Sequence, residues 1–257
     1  MNMNEALVRL LLATENVNVN DVDIYGRTPL WYACADTHEA VVKLLLAHND
    51  IDVNAKDYKG WAPLCCAAAH GHETVIQLLL CVKDVDINIT DDCGQTPLWW
   101  AIKHGNDAVV KLILTNSDVD VNVKNKLGET VLLLAVESDD EALIRVLLAR
   151  DGIDINCKDK HGQSPLHSSS RNGHARLVKL LLAKDGIDIN CKDENGWTPL
   201  NLASQNGHIR VVKILLDGGA DTAAASSNGW TPLDSALQNS QNGIVKLLRG
   251  KGADYPS

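Results

Sequence analysis

Two clusters in this sequence carry residue types that do chemistry. Cys65, Cys66, His70 and His72 lie close together, and thiolates beside neutral imidazoles are the ligand set of a tetrahedral zinc site. A closed site would need a second Cys or His pair at finger-like spacing. None follows, so no metal is expected. The run His167-Ser168-Ser169-Ser170 sets hydroxyls beside a base, the elements of nucleophilic catalysis. No third group is placed to orient the imidazole, and no strand–turn–helix elbow surrounds it. We therefore assign no catalytic residue and no cofactor, and read the chain as not an enzyme.

The elements that position these residues are set by a repeat. Gly26, Gly60, Gly94, Gly128, Gly162 and Gly196 recur every 34 residues, and Gly229 follows 33 later. A fixed period of this size means one supersecondary unit stacked on itself. Each unit opens on a turn signal such as Asp57-Tyr-Lys-Gly60, with glycine supplying the positive φ. Thr or Ser before Pro follows, as in Thr28-Pro29, Thr96-Pro97, Ser164-Pro165, Thr198-Pro199 and Thr231-Pro232, which is the signature of a helix start. A short apolar helix runs to a Gly-His pair. A second, amphipathic helix then carries apolar residues at helical spacing, as in Val41–Leu46 and Val178–Leu182. A loop ending Asp-Val-Asn or Asp-Ile-Asn closes the unit. Such an array presents an extended binding surface rather than an enclosed catalytic pocket.

These units resemble ankyrin repeats, whose Thr-Pro-Leu-His and Gly-His signatures stand here as Ser164-Pro-Leu-His167 and Gly173-His174. The resemblance covers essentially the whole chain. It implies an all-α ankyrin-repeat solenoid of stacked helix-turn-helix units, with turn or hairpin tips along a concave face. We read a single solenoid over 1–257: a half repeat at 1–20 holding only a second helix, then repeats at 21–54, 55–88, 89–122, 123–156, 157–190, 191–221 and 222–257. The Asp-Ile-Asn loop, with Trp after the turn glycine, is also similar to ankyrin arrays of large fungal proteins. The pattern breaks in places. Thr37 stands where repeat 1 should have glycine, Asp139-Asp140 replace Gly-His, and Val131 replaces Pro. Ser169 and Ser170 replace alanines, which marks repeat 5 as a softer joint through back-bonding of buried hydroxyls. Leu7, Leu10, Leu11 and Leu12 sit poorly with the polar outer face that a terminal unit needs.

The resemblance also reassigns the reactive clusters, since His72 and His167 fall at the family's structural histidines and Cys65 falls where His167 does. In that family partners meet the concave face. Repeats 1 to 3 concentrate there Tyr25, Tyr32, Tyr58, Trp61, His70, Trp100, Lys103 and His104, and aromatic anchors beside a few polar groups make a binding hot spot. A noncatalytic protein–protein interaction module is therefore the expected function. The alternatives are an enzyme or small-molecule binder using the groove near His70, Trp100 and His104, and a recognition fragment of a larger receptor-like protein. The second helices carry a cationic column, Arg9, Lys43, Lys111, Arg145, Lys179, Lys213 and Lys246, with Gln77 as the gap. This reads as a solvated helix face, offset by loop acids at the same period.

Composition narrows the classes further. A formal charge of −9 disfavours nucleic acid and anionic membranes, which need a basic footprint. No apolar run is longer than Val131–Val136, well short of a membrane span, and the start lacks the features of a signal peptide. Seven cysteines, an odd number, favour reduced thiols and an intracellular protein, cytoplasmic or nuclear. Cys157 and Cys191 share one register but stand too far apart for a disulfide, and are expected to be semi-buried loop thiols. A monomer is expected.

Overall fold

A computed structural model describes residues 5–14 and 17–252, so the ends of the expected half repeat and last repeat fall partly outside the described residues. Among these residues the protein is all-helical, with fifteen helices. They form two compact units, Met1–Lys126 and Leu127–Ser257. The first unit holds α1 (Glu5–Leu12) and the pairs α2 (Pro29–Ala35) and α3 (Glu39–Leu46), α4 (Pro63–His70) and α5 (Glu73–Leu80), and α6 (Pro97–Lys103) and α7 (Asp107–Leu114). The second holds α8 (Val131–Glu137) and α9 (Glu141–Leu148), α10 (Pro165–Asn172) and α11 (Ala175–Leu182), α12 (Pro199–Gln205) and α13 (Ile209–Asp217), and α14 (Pro232–Gln238) and α15 (Asn242–Gly250). Within each unit, first helices pack on first helices and second on second, while the two helices of a pair contact each other.

The helix starts follow the sequence signals. The hydroxyls of Thr28, Thr96, Thr130, Ser164, Thr198 and Thr231 each accept the N–H three residues on, filling one of the orphan donors of a helix start. Ala62 cannot, and α4 begins without a side-chain cap. The core lies between the rows. Second helices bury one apolar stripe, such as Val41, Val42 and Leu45, against first helices buried over most of their surface.

The loops are joined by an asparagine ladder. Asn54 donates its amide to the Asp84 carbonyl at 2.7 Å while its Oδ1 accepts the Asp86 N–H at 2.9 Å. Asn20, Asn88 and Asn156 repeat the same clasp on the following loop. A side-chain oxygen two residues earlier orients each such loop, as Asp52 and Asp86 do by accepting the N–H of Asn54 and Asn88, and Asn18 by accepting that of Asn20.

The breaks in the repeat pattern show as local strain. Thr37 and Asp139 adopt φ of 58° and 54°, joined by Ser240 at 55°, a left-handed region where a β-branched residue is an outlier. Exposed Thr37 makes no packing contribution to lose, so Thr37→Gly should stabilise the first unit by about 1 kcal/mol, seen as a higher urea midpoint. Asp139 has a compensating contact, its carboxylate meeting His174 Nδ1 at 2.7 Å. In repeat 5, Ser169 back-bonds to the Pro165 carbonyl at 2.8 Å, as expected. Ser170 and, one repeat on, Ser204 have buried hydroxyls without a partner. An unmet buried hydroxyl costs about 1–3 kcal/mol, so Ser170→Ala and Ser204→Ala should each raise the stability of the second unit in denaturant titrations. Cys157 and Cys191 are not semi-buried: both are enclosed, their sulfurs 3.2 and 3.3 Å from the capping hydroxyls of Thr130 and Ser164. The cap and the thiol fill one small site, which keeps water from them.

Candidate functional site

The candidate binding residues all lie in the first unit, on its turn tips and first helices. Each tip is organised by one aspartate. Asp57 Oδ1 accepts the N–H groups of Lys59 and Trp61 at 2.8 and 2.9 Å, and Asp23 and Asp91 do the same in their own tips. In two of the three tips the second carboxylate oxygen reaches the following helix, whereas Asp57 Oδ2 lies 4.0 Å from Arg27 Nε of the preceding tip. Asp23 Oδ2 accepts the Tyr32 hydroxyl at 2.7 Å, and Asp91 Oδ2 accepts Trp100 Nε1–H at 3.0 Å. Burial works against the charge on Asp23, but the N–H groups of Arg27 and Tyr25 and the Tyr32 hydroxyl outweigh it and hold the carboxyl below its usual range. Tyr32 and Trp100 are thereby fixed by a charge rather than by packing alone.

Two aromatic groups result. In one, Trp61 from a tip meets Trp100 from α6 with ring centroids 4.4 Å apart, and Trp100 stacks on His104 at 5.5 Å. Both tryptophans are half-buried and pack on Ala62, Cys65 and Ile89, so they join neighbouring repeats as well as facing solvent. Trp99 meets Trp100 edge-on, and Lys103 Nζ lies 5.8 Å from the Trp99 ring. In the other, the Arg27 guanidinium sits 4.8 Å from Tyr25, 4.6 Å from Trp31 and 5.7 Å from Tyr32, within cation–π range. Tyr58 is 72% exposed at the neighbouring tip, its ring filling the space where a side chain on Gly26 would stand. His70 joins neither group. It stacks on His72 at 5.6 Å and bonds to the Cys66 carbonyl on its own helix at 2.8 Å.

The residues that spacing alone did not assign to the site are Arg27, Trp31 and Trp99. Arg27 follows its turn glycine at the register of Trp61, and Trp31 and Trp99 stand at the register of His167. Aligning those columns was the signal available.

Of the two reactive clusters only His70 is exposed, and the other side chains are buried or half-buried. Cys65 and Cys66 are fully buried, and burial pushes the Cys65 thiol up to about 12 and that of Cys66 further still. His72 Nε2 bonds to the Ala35 carbonyl at 2.9 Å, and among the described residues no three His, Cys, Asp or Glu are placed to hold a metal ion. His167 does face a serine, but it is the capping Ser164, whose hydroxyl lies 2.8 Å from Nδ1. Its Nε2 donates to the Trp197 carbonyl at 3.0 Å, and both side chains are sealed from solvent.

Helix pairs with hydrogen-bonded tips, built on a repeat of this length, define a class of interaction scaffold. A family profile described as ankyrin repeats in three copies matches residues 1–91, 64–159, 110–193 and 166–257, and the chain belongs to the ankyrin-repeat family. Solved relatives agree. The ankyrin repeat domain of Bcl-3, described as a unique member of the IkappaB family, is 28% identical with a TM-score of 0.76, over 88% of this chain and 99% of that one. An ankyrin repeat domain from Acinetobacter baumannii AYE is 29% identical with a TM-score of 0.69, over 75% and 98%. The ankyrin repeat protein EF0377 is 25% identical with a TM-score of 0.68, over 77% and 98%. No curated protein matches the chain significantly. Ankyrin repeats generally act as protein–protein interaction modules. No helix among the described residues is long and apolar enough to cross a membrane.

Proposed function

We propose that this chain is a noncatalytic protein-binding module whose first unit meets its partner through the turn tips and first helices. The observation that carries this reading is the pair of aromatic groups whose central rings are held by tip carboxylates. Rings fixed before binding lose little freedom on contact, and a few such anchors supply most of the affinity of an interface. Tyr25, Tyr58, Lys103 and His104 are exposed around them and complete the contact surface. His70 belongs to its edge. Cys65, Cys66 and His167 are buried, which leaves the reactive residues of both clusters other than His70 without open access to a substrate. The seven free thiols suit a reducing compartment, cytoplasm or nucleus, and the chain acts as a monomer.

The test is capture of binding proteins by the full chain, compared with a Tyr58→Ala/His104→Ala variant and with Trp100→Ala. The first pair is exposed and should leave the urea midpoint unchanged. Loss of a partner from both variants, by about 30-fold or more in affinity for a hot spot, supports the reading. A partner held equally by wild type and both variants moves the interface elsewhere. A thermal shift with a small molecule, abolished by Trp100→Ala, would favour the groove-binding alternative.

A further inference from the structure

The cationic column on the second helices changes character along the chain. Arg9, Lys43, Lys111 and Arg145 each follow by four residues an acid on the same helix: Glu5, Glu39, Asp107 and Glu141. In α1 and α9 the pair closes at 2.8 and 2.7 Å. On the last three second helices that preceding acid is gone, and the acid at the end of α13, Asp217, pairs with Lys251 at 3.6 Å. Ala175, Ile209 and Asn242 stand four residues before Lys179, Lys213 and Lys246, and the first turns of α11, α13 and α15 hold no acid. A second cation joins each instead: Arg176, Arg210 and Arg249.

All six are exposed, and Arg176, Lys179, Arg210, Lys213 and Lys246 form no ion pair among the described residues. Helix α13 packs between α11 and α15. Residues three apart on a helix lie about 5–6 Å apart, and packed helices about 8–10 Å, so the charges form a compact grid. In its middle Ile209 is 41% exposed. Gly243 stands at the register of Arg176 and Arg210, and a side chain there would come within 3.1 Å of Ile209 Cδ1. The glycine leaves the isoleucine uncovered.

We infer that α11, α13 and α15 form a docking ridge for an acidic segment of a partner protein, one that places an apolar side chain on Ile209 between carboxylates. Charge complementarity selects the acid, and the uncovered isoleucine selects an apolar neighbour. A long polyanion fits worse, because it would run past Asp185, Asp188 and Asp221, which are exposed in the adjoining loops, on a chain of net charge −9. This ridge is separate from the aromatic face of the first unit and stands whether or not that face binds.

A fluorescein-labelled amphipathic peptide of glutamate and leucine at helical spacing, titrated into the full chain at low salt, tests the inference. The wild type should bind it. An Arg176→Glu/Arg210→Glu/Lys213→Glu variant should bind at least about tenfold more weakly, whereas a Lys43→Glu/Lys111→Glu variant of the first unit should bind as the wild type does. Replacing the peptide's leucines with serine should also weaken binding. Equal binding by the triple variant, no binding by the wild type, or tighter binding to single-stranded DNA or phosphatidylserine vesicles than to the peptide would each overturn it. Unchanged circular dichroism melts exclude unfolding as the cause, since every substituted residue is exposed.

Discussion

Gly60→Ala should destabilise the first unit by about 3 kcal/mol, against about 1 kcal/mol for Gly229→Ala in the second. Both glycines have φ of +79°, so both substitutions carry the same conformational penalty. They differ in what a Cβ would meet. At Gly60 it would stand 2.4 Å from the backbone nitrogen of Asp92 in the next tip, whereas at Gly229 nothing lies within 4 Å. The tips are stacked through backbone, with the Asp92 N–H donating to the Lys59 carbonyl at 3.1 Å, so the neighbour cannot yield as a side chain could. Urea titrations of both variants measure the difference. The same substitution should disturb the candidate site, because Asp91 holds Trp100 and Trp61 follows Gly60. A changed tryptophan emission in Gly60→Ala, before any unfolding, would register that link. Equal costs for the two variants would refute the account of the tips.

His167→Ala should cost about 2–4 kcal/mol, and His167→Asn far less. The imidazole is fully buried and joins the start of its own helix to the next tip: Nδ1 accepts the Ser164 N–H at 3.1 Å, and Nε2 donates to the Trp197 carbonyl. Alanine strands that donor and that acceptor. One repeat later Asn201 makes the same bridge, accepting the Thr198 N–H at 3.0 Å and donating to the Trp230 carbonyl at 3.1 Å. Asparagine is therefore the protein's own replacement. The pair also separates bridging from titration. Burial lowers the pKa of His167, the bond to Trp197 only partly opposing it. The unfolded state then binds the proton more readily, so stability is full above the ordinary histidine value of about 6.5 and falls as pH drops below it toward the folded value. His167→Asn should keep the bridge and flatten that part of the stability–pH curve. A slope unchanged in His167→Asn would assign the dependence to another group.

Much of this was legible in the sequence because the period repeats its own controls. Helix starts, tips and loops are fixed by local rules acting within a few residues, and each is seen several times over. Thr37 and Asp139 showed as faults because glycine occupies their register elsewhere, yet Ser240, under the same strain, was hidden by the one-residue shortening before Gly229. The candidate site was less legible. A column of residues tells which face a side chain belongs to, but not whether it reaches its neighbour. Trp61 and Trp100 meet because one comes from a tip and the other from the next repeat's helix, held there by Asp91. His70 shares their face and turns instead to its own backbone. Arg27 was readable as a tip residue, but its place among Tyr25, Trp31 and Tyr32 depends on three side chains converging in space.

The asparagine ladder has a consequence for how such a chain can change in length. Each clasp joins an asparagine to carbonyl and N–H groups of the following loop, thirty and thirty-two residues on, and the groups clasped are main chain rather than any particular side chain. Excise residues 55–88, and Asn54 would meet the carbonyl of Asp118 and the N–H of Asp120, which Asn88 holds now. The main-chain clasp would therefore re-form across the join, while helices α2 and α3 would meet α6 and α7 through side chains that do not touch now. Duplication or loss of one whole period by unequal recombination would thus yield a chain whose loops already fit one another, and a cut at any other length would not.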